Sequence, residues 1–185
     1  GPEEPKALLN LWLHEAARCF RDRLINDQDS DWFNKMIATR LKANVEGFEM
    51  DADDFKDLVF GDFMDRVEKK YIHIADNEKM LEEYNITFPT QMNLVFFSDC
   101  CKHLSRMCRV LRQPRGNGLL VGVSGVGRKS IGRLASFMQE IAPFSIEITK
   151  SYDLPQFNDD IKLMMFQVAK GQPTMFLFSD TQIVR

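Results

Sequence analysis

The run Gly122-Val123-Ser124-Gly125-Val126-Gly127-Arg128-Lys129-Ser130 has the spacing of a phosphate-binding loop. It follows an apolar stretch at residues 119–121 and precedes a helical pattern from Ile131. In such a loop successive backbone N–H groups turn inward, and the following helix presents its positive end to an anion. Gly122, Gly125 and Gly127 permit the turn and the close approach of phosphates. The standard loop continues with a lysine against the outer phosphates and a hydroxyl for magnesium. Here those two positions hold Arg128 and Lys129. Arg128 keeps the positive charge on a longer, planar group. Lys129 has donors and no acceptor, so it cannot coordinate magnesium. Sliding the register would make Lys129-Ser130 the standard pair. One helical step rotates a side chain by about 100°, so the unshifted register is preferred, with Ser130 as a secondary contact to phosphate or water.

A second chemical element is Met175-Phe-Leu-Phe-Ser-Asp180, an apolar strand ending in an acid. Asp180 stands where phosphate-loop proteins hold metal-bound water. Hydrolysis in many of them needs a glutamate next, to polarise water. The next residue is Thr181, which is not an adequate base near neutral pH. The nucleotide-binding candidates are therefore residues 122–130 with Asp180, Asp180 also being the metal candidate, and no catalytic residue is assigned. The competing reading is a glycine-rich strand-to-helix turn with no ligand.

Other chemistry-bearing residues read more plainly. Cys19, Cys100, Cys101 and Cys108 show no paired ligand spacing and only three histidines accompany them, which argues against zinc. Cys100 and Cys101 read as core. His14-Glu15 reads as a domain-surface or capping pair, and His103 as facing a helix neighbour. Arg106, Arg109, Arg112 and Arg115 read as a solvated helix face or a contact to phosphate or a neighbouring module. A net charge of −3 gives no general case for nucleic acid. No signal peptide or membrane span is visible, so a reduced, intracellular chain is expected.

The elements that position the loop change character along the chain. Residues 5–25 read as an amphipathic helix with Leu8, Leu9, Trp12, Ala16, Cys19, Phe20 and Leu24 inward. Residues 26–31 offer caps for a second helix to about Asn44, with Trp32, Phe33, Met36, Ile37 and Leu41 inward. Short acidic segments with Phe55, Leu58, Val59, Phe60 and Phe63 read as short helices. Residues 71–75 form an alternating patch too short to classify, and residues 76–84 read as helical. A long helix runs from Thr90 or Gln91 to about Leu111, with Leu94, Phe97, Cys101, Leu104, Cys108 and Leu111 in one stripe.

Past Pro114 and Gly116 the pattern becomes α/β. Residues 118–123 read as a short buried strand, and residues 128–142 as a helix. Strands are expected at 144–149 and 174–178. Between them a helix at 154–169 carries Phe157, Ile161, Met164, Met165 and Val168. This alternation implies crossovers onto a parallel sheet. The fold class is α/β, an incomplete three-layer phosphate-loop domain behind a mostly helical region. At 185 residues one or two domains are expected.

The segment from Leu119 to Phe137 resembles the phosphate-loop region of the fourth AAA+ module of dynein heavy chains. Residues 148–152 and 176–183 resemble the same module further on. Leu11-Trp-Leu-His-Glu15 and Phe20-Arg-Asp-Arg-Leu24 resemble the helical lid of the preceding module, and residues 109–116 the lead-in to the fourth. The likeness is weakest at 51–83. Arg128, Asp180, Thr181 and Gln182 match the axonemal type, whereas Lys129 departs from it.

The resemblance implies three parts: a lid of the preceding AAA+ module at 1–50, a helical linker and lead-in at 51–115, and a partial phosphate-loop core at 116–185. It implies a fragment of an ATP-driven, minus-end-directed ciliary motor of the axoneme and cytoskeleton, contributing a degenerate, non-hydrolysing ring module. ATP or ADP is the implied ligand, with magnesium disfavoured. The implied partners are the rest of the heavy-chain ring and, through the full-length protein, microtubules and intermediate and light chains, with no nucleic acid or membrane. Arg18 stands where a lid arginine would reach nucleotide in the preceding module. The alternatives are an independent small phosphate-loop ATPase or kinase, and a purely structural module.

The resemblance also implies the sheet order five-one-four-three-two, with the chain ending just after strand three. Without strand four, which would separate strands one and three, the sheet then has a hole, and marginal stability in isolation is expected.

Overall fold

The structure, a computed structural model, describes residues 4–61, 70–74, 82, 85–86, 98–123 and 125–183. The chain forms two compact units, Gly1–Asp76 and Asn77–Arg185.

In the first unit, helix α1 spans Pro5–Cys19 and a 3₁₀ turn follows at Arg21–Arg23. Pro5 suits the first helical turn, where its missing N–H has no partner to lose. The buried face is Leu13, His14, Ala16 and Ala17. Of the expected inward stripe, Leu8, Trp12, Cys19 and Phe20 are instead exposed. The stripe was misplaced because histidine counts as polar. His14 is 2% exposed, yet its Nδ1 lies 2.9 Å from the Leu58 carbonyl, and its ring lies 5.6 Å from that of Phe60. A partnered imidazole is buried at little cost, and the two small alanines allow close packing. His14 is thus a core residue, not the surface or capping residue expected. Its neighbour Glu15 accepts a 2.7 Å hydrogen bond from the Tyr71 hydroxyl.

Helix α2 spans Asp27–Asn44. The Asn26 side chain caps it by accepting from the Asp29 N–H at 2.7 Å. Its buried residues are Asn34 and Ala38, while Trp32, expected inward, is 63% exposed. Leu13, Ala38 and Phe55 form a core cluster flanked by Ile37, Leu41, Phe48 and Leu58. The expected short helices resolve into a 3₁₀ turn at Asp54–Asp57 and strand β1 at Phe60–Gly61. Strand β2, Ile72–His73, pairs antiparallel with β1 inside the patch at 71–75. Phe63 and most of the helix expected at 76–84 lie outside the described residues.

In the second unit, helix α3 is described over Ser98–Arg112, and the expected start near Thr90, with Leu94 and Phe97, lies outside. Cys100, Leu104, Met107 and Cys108 are buried, and α3 packs against helix α4, Arg128–Met138. From α4 come Ile131, Leu134, Ala135 and Met138. Helix α4 stops short of the expected Ala142, because Glu140 takes a left-handed conformation at φ 57 and Ile141 N–H returns to the Ser136 carbonyl.

Strand β3, Ala142–Phe144, pairs in parallel with β4, Thr174–Phe176, joined through helix α5, Leu154–Ala169. The strands are shorter than expected, although Leu177 N–H extends the ladder to the Phe144 carbonyl at 2.8 Å. The α5 bounds match expectation, fixed by a reciprocal capping box of Asp153 and Gln156 and a left-handed Gly171 beyond the end. No residue of α5 is buried; Phe157, Met165 and Val168 are exposed, since a two-stranded sheet covers little of the stripe.

The clearest departure is the buried strand expected at 118–123. These residues pair with no described strand, and Leu119, Val121 and Val123 are 89%, 84% and 74% exposed. An apolar run becomes a buried strand only when a neighbouring edge takes its backbone groups.

The contrast between α4 and residues 118–123 sets an expected outcome. In urea denaturation of the 185-residue chain, Leu134→Ala removes about 2–5 kcal/mol, whereas Leu119→Ser changes stability by less than about 0.5 kcal/mol.

Candidate functional site

The glycine loop turns as its composition requires. Gly125 and Gly127 have φ of 84 and 77, a region that side chains rarely adopt. At Gly122 an added Cβ would stand 3.2 Å from Val126 Cγ2, a tight contact with an exposed side chain. Gly127 is the N-cap of α4 and brings no side-chain oxygen to the first helical N–H groups. Those groups carry the partial positive charge of the helix end. Val123 and Val126 are exposed, Ser130 is partly buried in the first turn of α4, and Ser124 lies outside the described residues.

The two altered residues each reach the segment after β4. Arg128 Nη2 lies 3.9 Å from Asp180 Oδ2. Lys129 Nζ donates to Thr181 Oγ1 at 3.0 Å. Asp180–Gln182 form a 3₁₀ turn that positions both acceptors, and Asp180 Oδ1 also takes the Thr181 N–H at 3.0 Å. The Arg128–Asp180 pair is mostly exposed on the Asp180 side, so it contributes about 1 kcal/mol or less.

Sequence reasoning named Gln182 only as part of the family likeness and missed Ser179 and the role the two share in holding this turn. Ser179 and Gln182 form a reciprocal capping box, and Gln182 Nε2 also donates to Ser145 Oγ at 3.0 Å and to the Ile146 carbonyl. The Ser-x-x-Gln spacing was the available signal. Gly132 was missed as well. A Cβ there would meet Leu177 Cδ1 at 3.3 Å, so glycine brings α4 close to the end of β4.

This geometry suits a nucleotide phosphate better than its metal. The glycine turn leads into a helix end whose first N–H groups have no side-chain cap and so remain as donors. For magnesium the fit fails: the position that should carry a hydroxyl carries an ammonium, and the aspartate faces a guanidinium. Among the described residues, no group of three or more His, Cys, Asp or Glu is placed to hold a metal ion, and no helix is long and apolar enough to cross a membrane.

The other candidates sit apart from this chemistry. Arg18 Nε pairs with Asp22 Oδ2 at 2.9 Å. Burial first, and Cys101 beside it, push the Cys100 thiol up, which keeps it protonated and unreactive. Tyr152 donates to Asp160 Oδ2 at 2.5 Å, and burial together with that bond pushes its phenol up to about 12.

Comparison with known proteins shows which families the two parts of the chain match. The family model described as the P-loop containing dynein motor region D4 matches residues 92–185, and one described as the AAA+ lid domain matches residues 3–59. Dynein axonemal heavy chain 1 of Homo sapiens is 40% identical over 194 residues, covering 98% of this chain and 4% of the relative. Dynein axonemal heavy chain 6 of Homo sapiens is 38% identical, covering 96% of this chain and 5% of the relative. Dynein axonemal heavy chain 12 of Homo sapiens is 40% identical, covering 84% and 6%. The chain thus spans a small part of the length of these relatives. The glycine loop, the helix it opens and the aspartate after β4 all fall within the motor-region match, and the chain belongs to the family of P-loop-containing dynein motor regions.

Proposed function

We infer that this chain is a ring segment of an axonemal dynein heavy chain, and that it contributes a nucleotide-binding module that does not hydrolyse. The whole protein, on this reading, is an ATP-driven motor that moves toward microtubule minus ends in the axoneme of a cilium or flagellum. Residues 1–50 serve as the lid of the preceding module, residues 51–115 as linker and lead-in, and residues 116–185 as part of a phosphate-loop core. The partners are the rest of the ring and, through the full-length protein, microtubules and the intermediate and light chains. ATP or ADP contacts residues 122–130, with Asp180 at the far side of the site.

One observation carries the non-hydrolysing reading. The residues in the metal and base positions, Lys129 and Thr181, are hydrogen-bonded to each other at 3.0 Å. Neither a magnesium hydroxyl nor a carboxylate base is available at those places. This also weighs against an independent ATPase. The purely structural reading draws on the exposure of residues 118–123, which leaves the loop without a sheet beneath it.

Titration calorimetry with ATP and ADP is expected to show binding, and phosphate-release assays no turnover above background. Gly125→Val forces a β-branched residue into φ 84 and is expected to weaken binding by about tenfold or more. Magnesium-dependent turnover that Asp180→Asn abolishes would contradict the proposal, and absence of binding would favour the structural reading.

A further inference from the structure

We propose that the Lys129 ammonium takes the place of the divalent cation, so that this site binds nucleotide in its metal-free form. The inference rests on the nucleotide reading above and goes beyond it by naming the ionic form of the ligand. In an ordinary phosphate loop the metal ion does two jobs: it neutralises phosphate charge, and it bridges the loop hydroxyl to the aspartate side of the site. Lys129 meets both requirements without a metal. It occupies the hydroxyl position and reaches across to the segment after β4, where its Nζ donates to Thr181 Oγ1 at 3.0 Å. That hydrogen bond uses one of the three ammonium donors and leaves two for phosphate oxygens.

The charges agree with this assignment. Arg128 lies 3.9 Å from the Asp180 carboxylate and Lys129 is bonded to the neutral Thr181 hydroxyl, so these contacts bring together two cations and one carboxylate before any metal arrives. A divalent cation entering the same space would meet an ammonium and a guanidinium and no hydroxyl ligand at position 129. An anion would meet two cations, two left-handed glycines and an uncapped helix end. Thr181 completes the arrangement. A glutamate there would place a second carboxylate beside Lys129, whereas a hydroxyl holds the ammonium in place and leaves its charge for the ligand.

The test is ADP binding to the 185-residue chain, measured by calorimetry in excess EDTA and in excess magnesium chloride. The wild-type chain is expected to bind ADP in EDTA at least as tightly as in magnesium. Lys129→Ser, which supplies the missing hydroxyl and removes the ammonium, is expected to lose about tenfold in EDTA and to regain affinity when magnesium is added. Lys129→Met is expected to show the same loss in EDTA with no recovery in magnesium. Wild-type binding that needs magnesium would overturn the inference while leaving the nucleotide reading intact. Equal affinity of all three chains in EDTA would overturn it too. Absence of ADP binding under both conditions would overturn the nucleotide reading itself, and the inference with it.

Discussion

The contact on which the site depends is the link between the start of α4 and the 3₁₀ turn after β4. The two elements are 52 residues apart along the chain at the Lys129–Thr181 hydrogen bond. Two features bring them together. Gly132 lets the helix lie close to Leu177, and Gln182 ties the turn to the backbone beyond β3. The start of α4, which follows the glycine loop, then meets Asp180 and Thr181. The links themselves are weak, partly exposed contacts. Their importance lies in where they place charge, since a surface pair of this kind adds little to stability.

Beneath the site the architecture is asymmetric. One flank of α4 is well packed, with Leu134, Ala135 and Ser136 fully buried, and the buried Ser136 hydroxyl donates to the Arg133 carbonyl at 2.8 Å. The segment leading into the loop has no strand partner among the described residues. Residues 118–123 have the composition of a core strand and the exposure of a surface loop. A five-one-four-three-two sheet would place a further strand between this segment and β4, and residues 118–123 pair with no described strand on either edge. The described side-chain contacts therefore lie at the helix end and the turn after β4. The glycine loop is held from its helical side.

Much of this was legible in the sequence where the cause is local. The glycine spacing, the bounds of α5 and the cap at Asn26 depend on residues within a few positions of each other, so pattern suffices to read them. What the sequence hid was decided by neighbours far along the chain. The buried face of α1 turned on a carbonyl at Leu58 that accommodates His14. The exposure of residues 118–123 turned on the lack of a paired edge, and that of α5 on how little sheet lies against it. At the site, the two substitutions were visible as departures from a motif. That Lys129 and Thr181 are hydrogen-bonded to each other was not visible, because nothing in their spacing requires them to meet.

The central claim is that a lysine ammonium stands where a metal ion would. Phosphorus NMR of ADP bound to the chain tests it most directly, since metal coordination changes the environment of the β-phosphate. The account predicts that the β-phosphate resonance of bound ADP stays in place when magnesium is added and moves on Lys129→Ser. A bound resonance that shifts with magnesium in the wild-type chain would contradict it.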